Sequence, residues 1–582
     1  MRKNNGGWLF LKERKYFRLF FVFTIFLNTL NLSFWGMESN PLYPILFVWA
    51  ALLLVYDLWN QRLFYPKSSL GLLLVFSLLL IRATLANQSY SNAQSYELLI
   101  LQIMIFLFVF ANPKSFSLWE MKQELRVLLS FTTILTLIAS SVSLVQFFLN
   151  VSITRNGVTM GLVGDRLFGV YFNCNPAAFL ACIMLVIAGI ALHCRYRHSF
   201  LYWSNIVVQL LYIILTGCRA ALLIVILLCL ALLYYYLFRR KTYSFLGKTF
   251  LSLLVVVTIF FGSSTLKNAL YHIPQWQGAV VMEENRFQMD KIFEILRLIQ
   301  EKKSSNLRRI YELSNEVSSG RLELLHTAYQ VFRSNPVQGV GVGNFQRMGI
   351  DRNPNDTVIK QRQVVHTHNA FVESAVVGGI FGFLLFVFFF LRSSATIWKV
   401  LQHYQGSRSY FIVLCFFLIV LSDFIGGMFD YGVFYSYSLS TTLAWLFLGY
   451  LDWLATQPTL NLTSESKDFD FAYYHLCQIH YDRKDNGSLK QLKIIPVSSY
   501  YSKDWYVLRI DIALFFSDEI SHFIYDASFH VECKDEKRLQ QQHHRMCLEM
   551  YEMVKNDIEH ILSDGDKLLL LPQGNKNLIA QK

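Results

Sequence analysis

Four side chains stand where the sequence could do chemistry, three at the edges of apolar runs and one at the start of a loop helix. Arg166 sits in Gly164-Asp165-Arg166-Leu167-Phe168-Gly169, just before a segment opening Asn173-Cys174-Asn175-Pro176. Arg219 sits in Thr216-Gly217-Cys218-Arg219-Ala220-Ala221, between two apolar runs, and Arg321 in Ser319-Gly320-Arg321-Leu322-Glu323. A guanidinium is a planar fork that grips phosphate oxygens two at a time, so three of them suggest an anionic ligand. The plainer readings are an arginine snorkelling to the interface for Arg219 and solvation for a loop arginine. The fourth residue, His368, lies in His366-Thr367-His368-Asn369-Ala370-Phe371-Val372-Glu373. Imidazole is the side chain best poised for general base work near neutral pH, and at a water–hydrocarbon boundary it could take a proton from an attacking hydroxyl. The alternative is a histidine bonded to a loop carbonyl. His-Thr-His spacing also invites a metal, but no third ligand or carboxylate cluster accompanies it.

The elements that must position these residues are membrane helices. Hydrophobic residues make up 54% of the 582, against 16% charged, which excludes an ordinary soluble chain. Runs long enough to cross about 30 Å of hydrocarbon recur. In hydrocarbon the backbone must satisfy its own hydrogen bonds, so such runs mean helices. Spans are expected at 17–36, 41–59, 68–87, 96–112, 126–149, 173–193, 199–217, 220–238, 246–263, 370–391, 409–429 and 431–453. The fold class is therefore an all-α polytopic membrane protein of about 12 transmembrane helices.

Orientation follows from lysine and arginine in the short loops. The N-terminus carries Arg2, Lys3, Lys12, Arg14, Lys15 and Arg18, and alternate loops carry Arg62 with Lys67, Lys114 with Lys122 and Arg126, Arg195 with Arg197, Arg239 to Lys241, and Arg392 with Lys399. The intervening stretches 36–40 and 87–95 have none. Both termini are then cytoplasmic, and Arg166, Arg219, Arg321 and His368 face outward. The net charge of +13 is mostly explained by loops lying beside anionic headgroups, without nucleic acid. The first apolar run lacks a small-residue cleavage site and reads as an anchor. Nine cysteines are scattered without a paired motif, so neither a disulfide framework nor a zinc site is expected.

Two regions interrupt the membrane pattern of residues 1–456. Residues 264–368 form a long extracytoplasmic helical loop, with polar helices expected at 286–300 and 307–317 and a more apolar one near 321–332. A turn-rich stretch follows at Asn335-Pro336-Val337-Gln338-Gly339-Val340-Gly341-Val342-Gly343. It follows a helix rather than a strand, so tight packing explains its glycines better than a nucleotide. Residues 457–582 form a small α+β cytoplasmic tail domain, with a strand near Trp505–Phe515 and a polar helix at 535–562. Its Asp468-Phe469-Asp470 and Asp564-Gly565-Asp566 triplets read as solvated acids. Asp423 and Asp430, near the outer end of the eleventh span, are expected to pair with an arginine, and Arg82 is such a partner or snorkels.

Together these motifs resemble the O-antigen ligase and polymerase superfamily of bacterial envelope glycosyltransferases. The resemblance rests on Arg166 with Asn175-Pro176, the Cys218-Arg219-Ala220 helix start, the Arg321 helix running into Asn335-Pro336, and His368-Asn369 with Glu373 and Gly378-Gly379-Ile380-Phe381-Gly382. It spans 15–455 in architecture and is strong in motifs over 160–385. Cys218 stands where the family commonly has serine, and the tail is outside the usual pattern. The resemblance implies a multi-pass enzyme of the bacterial cytoplasmic membrane with its active site outside. It implies a polyprenyl-diphosphate-linked glycan donor, a glycolipid or sugar acceptor, and no cofactor or metal. Arg219 and Arg321, with Arg166 beside them, would hold the diphosphate, and His368 would activate the acceptor, oriented by Asn369 and Glu373.

Within that family the motifs leave ligase and repeat-unit polymerase both open, with a ligase making O-antigen or teichoic-acid-type conjugates favoured. A lipid-linked oligosaccharide transporter or flippase would show repeated halves with broken helices at the midplane, and no such repeat is visible. A non-catalytic sensor would tolerate loss of His368. Arg321→Lys should lose most glycan transfer in a cell-envelope assay while keeping its charge, because an ammonium lacks the two-pronged contact.

Overall fold

A computed structural model describes residues 12–457 apart from 38, 60–68, 114, 115, 117, 197, 239–244, 276–293, 295, 296, 298–319, 355–358, 360–365, 408 and 431–437; beyond these it describes 462, 489–502, 505–516 and 520–530. The chain divides into two compact units. One holds residues 1–114, 127–401 and 413–455, and the other 115–126, 402–412 and 456–582.

The first unit is a helical assembly. In chain order it contains α1 (Arg14–Thr29), α2 (Tyr43–Trp59), α3 (Leu70–Ala86), α4 (Ala93–Met104) with a π-helical extension Ile105–Phe110, and most of α5 (Leu118–Phe148). A three-stranded antiparallel sheet follows: β1 (Ser152–Arg155), β2 (Val158–Val163) and β3 (Arg166–Gly169). Then come α6 (Cys174–His193), α7 (Ser199–Thr216), α8 (Arg219–Leu233), α9 (Phe245–Gln275), α10 (Arg321–Ser334), α11 (Phe345–Arg352), α12 (Ala370–Tyr404), α13 (Tyr410–Phe429) and α14 (Leu439–Leu454). Each of the twelve expected spans overlaps one of these helices, with residues 431–437 of the last span outside the described residues. Eight helices among the described residues are long and apolar enough to cross a membrane, and α2 and α3 are shorter apolar helices. The division around Cys218 is clean, with α7 closed by Gly217 at φ +62° and α8 opening at Arg219. The helix expected near 321–332 is α10, whereas the expected helices at 286–300 and 307–317 lie largely outside the described residues.

Two features depart from the expected spans. Helix α9 runs to Gln275, twelve residues past the predicted end, and carries Lys267 and Tyr271 toward the β1–β3 sheet. That sheet was legible in principle. Asn156-Gly157 between β-branched runs is a strong hairpin signal, because a tight two-residue turn needs φ > 0 at both positions. Here φ is +52° at Asn156 and +73° at Gly157.

At the other end of the bundle, Arg14 and Arg18 are buried rather than solvated loop charges. The π-helical extension ends at Phe110, leaving its last carbonyls without helical partners. Arg14 donates to the Leu107 and Ala111 carbonyls and pairs with Asp57 at 2.7 Å. Arg18 donates to the carbonyls of Phe108 and Ala111 and to Asn112. Asn112 in turn donates to the Gly449 carbonyl of α14.

The key joint is a break in α12. Gly379 has φ +65° and ψ −167°, so the helix is interrupted there. The freed carbonyls of Val376 and Val377 accept from the amides of Val340 (2.9 Å) and Gly341 (3.0 Å), and the Ile380 amide donates to the Pro336 carbonyl at 2.8 Å. The turn-rich segment thus replaces the missing helical bonds, as an apolar surrounding requires. Gly339 and Gly379 let the two backbones touch, since a Cβ on Gly339 would come within 2.3 Å of the Val377 carbonyl oxygen. Leu324, Ala328 and Val331 of α10, Val340 of the turn-rich segment, Phe345 and Met348 of α11 and Val376 of α12 then share one core. The helix bearing Arg321 and the first turns after His368 are therefore one packed body.

In the second unit, β4 (Leu489–Ser502), β5 (Trp505–Phe516) and β6 (Ile520–His530) form an antiparallel meander. The strand expected near Trp505–Phe515 is β5. The helix expected at 535–562 and both acidic triplets lie outside the described residues.

Gly379→Ala should lower the stability of the detergent-solubilised protein by about 2–4 kcal/mol, from overpacking plus left-handed strain. Gly71→Ala, whose added Cβ meets nothing within 4 Å, should leave the thermal midpoint nearly unchanged.

Candidate active site

His368 occupies the turn into α12 with φ +53°, an uncommon conformation for a side chain with a Cβ. Five contacts made by its neighbours hold it there. The Glu373 carboxylate accepts from the Thr367 amide at 2.8 Å and lies 3.3 Å from His366 Nδ1. The Asn369 side chain accepts from the amides of Phe371 and Val372, capping α12. Its Nδ2 donates to the Met428 carbonyl at 3.0 Å, tying the cap to the end of α13. Asn369 and Glu373 therefore brace the backbone on either side of His368 rather than gripping its ring.

The ring is gripped by Asp430. His368 Nδ1 lies 2.9 Å from Asp430 Oδ1, with the carboxylate side chain 2% exposed and the imidazole 27%. Of the two acids at this end, Asp430 meets the histidine, and Asp423 accepts from Thr441 at 3.1 Å. An ionised carboxylate can only accept, so Nδ1 must carry the hydrogen. In the neutral ring that leaves the lone pair on Nε2, the tautomer a general base needs. The spacing of 62 residues hid this partner. The signal present was an acid at the end of a span, where an ionisable group is costly without a partner.

The arginines arrive on separate elements. Arg321 opens α10, and its guanidinium lies over the Phe429 ring, 5.9 Å from the centroid and one residue from Asp430. Arg166 opens β3. Its Nε donates to the Thr216 carbonyl at 2.8 Å and its guanidinium to Asn175 Oδ1 at 2.5 Å, which joins the sheet to the start of α6 and the end of α7. Arg219 is exposed at the first turn of α8. Between them sits the Cys218 thiol. Burial pushes its pKa up, the Ala221 amide and the Arg166 guanidinium oppose the rise, and the Asp430 carboxylate adds to it.

The structure brings Arg166, Arg321, His368 and Asn369 to one end of the bundle, with Arg219 on the adjoining turn. Glu373 stands one helical turn behind. Among the described residues no group of three or more His, Cys, Asp or Glu is arranged to hold a metal. The arrangement offers an imidazole bonded to a buried carboxylate, with arginines carried on three separate elements.

Asp430→Asn should keep the protein folded yet cut transfer by about 10–100-fold, since an amide can present its NH₂ to Nδ1 and favour the wrong tautomer. Steady-state transfer rates of purified protein, normalised to folded fraction, would check this.

Residues 204–387 match the family model described as O-Antigen ligase. The matched segment contains Arg219, Arg321, His368, Asn369 and Glu373, while Arg166 and Asp430 lie outside it. No curated protein sequence matches the chain significantly. The family match supports the O-antigen ligase and polymerase superfamily for this chain.

Proposed function

With that family as the premise, we propose that the chain is a ligase transferring a glycan from a polyprenyl diphosphate to a lipid-anchored acceptor. The transfer takes place at the outer face of the bacterial cytoplasmic membrane. The observation that carries this reading is the His368–Asp430 bond beside arginines on separate elements.

In the proposed reaction, His368 Nε2 takes the proton of an acceptor hydroxyl. The hydroxyl oxygen bonds to the anomeric carbon while the bond from that carbon to the diphosphate oxygen breaks. The imidazolium formed is stabilised by the buried Asp430 carboxylate across the 2.9 Å contact. Negative charge grows on the departing diphosphate, and Arg219, Arg321 and Arg166 offer fixed positive charge there, a role that requires no metal. Arg166 also holds the α6 and α7 ends together through Asn175 and Thr216, so its contribution is partly positional. The prenyl tail stays in the bilayer, which accounts for a site at the helix ends. The remaining expectations belong to the same proposal: twelve spans, both termini in the cytoplasm, a membrane domain over 1–456 and a cytoplasmic domain over 457–582.

Envelope glycans from cells carrying wild-type protein, His368→Ala or Arg219→Ala, resolved by length and by lipid linkage, test the reading. Loss of the base should lower anchored product by about 10²–10⁴-fold, with full-length polymer accumulating on the polyprenyl carrier. Accumulation of single repeat units would mark a polymerase instead. An unchanged profile at normal protein level would remove the catalytic assignment.

A further inference from the structure

We propose that Lys267 is a further diphosphate-binding residue, and that Asp165 holds its ammonium in place until the donor's phosphates displace the carboxylate. This deepens the reading above and rests on it.

Helix α9 has 31 residues and is about 46 Å long at 1.5 Å per residue, well beyond the roughly 30 Å of hydrocarbon. Its outer end emerges beside the β1–β3 sheet. There Lys267 Nζ lies 3.3 Å from Asp165 Oδ2, with the two side chains 19% and 9% exposed. A Cβ on Gly217 would sit 3.0 Å from that ammonium and 4.0 Å from Arg166 Cγ. Lys267 and Arg166 therefore approach the same turn, two residues before Arg219, and the glycine leaves room for the ammonium.

Two observations favour a ligand role over a strut. The sheet's turn is already fixed through its backbone, since Tyr271 Oη donates to the Asp165 carbonyl at 2.5 Å. The lysine–carboxylate contact of 3.3 Å is longer than the 2.7–2.9 Å or so of a well-formed charged hydrogen bond. A loose pair with one carboxylate is readily exchanged for a diphosphate, which brings more negative charge and more acceptor oxygens. Arg166 is engaged differently: its guanidinium bonds Asn175 and the Thr216 carbonyl, with no counter-ion among those contacts. Lys267 would then meet the diphosphate from the side of α9, and Arg219 from the side of α8.

The test measures binding of undecaprenyl diphosphate and undecaprenyl monophosphate to the full chain in lipid nanodiscs. The variants are Lys267→Gln, Lys267→Arg, Asp165→Asn and Arg219→Ala. Lys267→Gln should weaken diphosphate binding about tenfold, with a smaller effect on the monophosphate. Lys267→Arg should stay within about threefold of wild type, because the positive charge is kept. Asp165→Asn should bind diphosphate as tightly as wild type or more so, since the competing carboxylate is gone. Equal losses in Asp165→Asn and Lys267→Gln, with lowered thermal midpoints in both, would make the pair a strut and overturn the proposal. Unchanged affinity in Lys267→Gln while Arg219→Ala binds weakly would overturn it alone. If wild type takes up no diphosphate, or Arg219→Ala binds as wild type does, the diphosphate site itself falls and this inference with it.

Discussion

A helix interrupted within an apolar surrounding must find substitutes for its lost hydrogen bonds, and the break at Gly379 organises the rest of the site. The amides of Val340 and Gly341 and the carbonyl of Pro336 supply what the helix lacks. Because those groups belong to the segment after α10, the repair ties the Arg321 helix to the turn that carries His368. Each unsatisfied backbone group in hydrocarbon would cost several kcal/mol, more than a surface ion pair could offset. The glycines on both sides of the joint follow from how closely the two backbones approach.

A second coupling crosses from α12 to α13. His368 would be a poorly defined base in a left-handed turn if nothing held its ring and flanks. Asp430 takes the ring, Asn369 binds the Met428 carbonyl, and Glu373 holds the Thr367 amide. On the other side, Arg166 and Asp165 ride on a small sheet clamped through Thr216 and Tyr271. The candidate cations and the candidate base thus sit on separately braced elements, as expected of a site that must present fixed charge to a leaving group.

Much of this was legible in the chain. Long apolar runs placed a helix at every expected span, because length and hydropathy are local properties. The residues proposed for chemistry were chosen by type and place: Arg166, Arg219 and His368 at the ends of those runs, Arg321 at the start of a helix in the long loop. What escaped was long-range or locally ambiguous. The Asp430 partnership spans 62 residues and has no periodic signature. Arg14 and Arg18 looked like loop charges, because burying a guanidinium depends on a π-helical end some 90 residues away. The break at Gly379 sits in an otherwise uniform apolar run, and its cause lies in a segment about 40 residues earlier.

The central claim, that His368 is the base of a metal-free transfer from a polyprenyl diphosphate, is tested most directly in a defined system. Purified wild type and His368→Ala in nanodiscs would receive a synthetic polyprenyl-diphosphate-linked oligosaccharide and a glycolipid acceptor, with a chelator present. Donor binding and product formation would be followed separately. The account predicts equal donor binding by both proteins, with transfer by wild type alone and no effect of the chelator. Transfer by His368→Ala at the wild-type rate, or transfer abolished by the chelator, would contradict it.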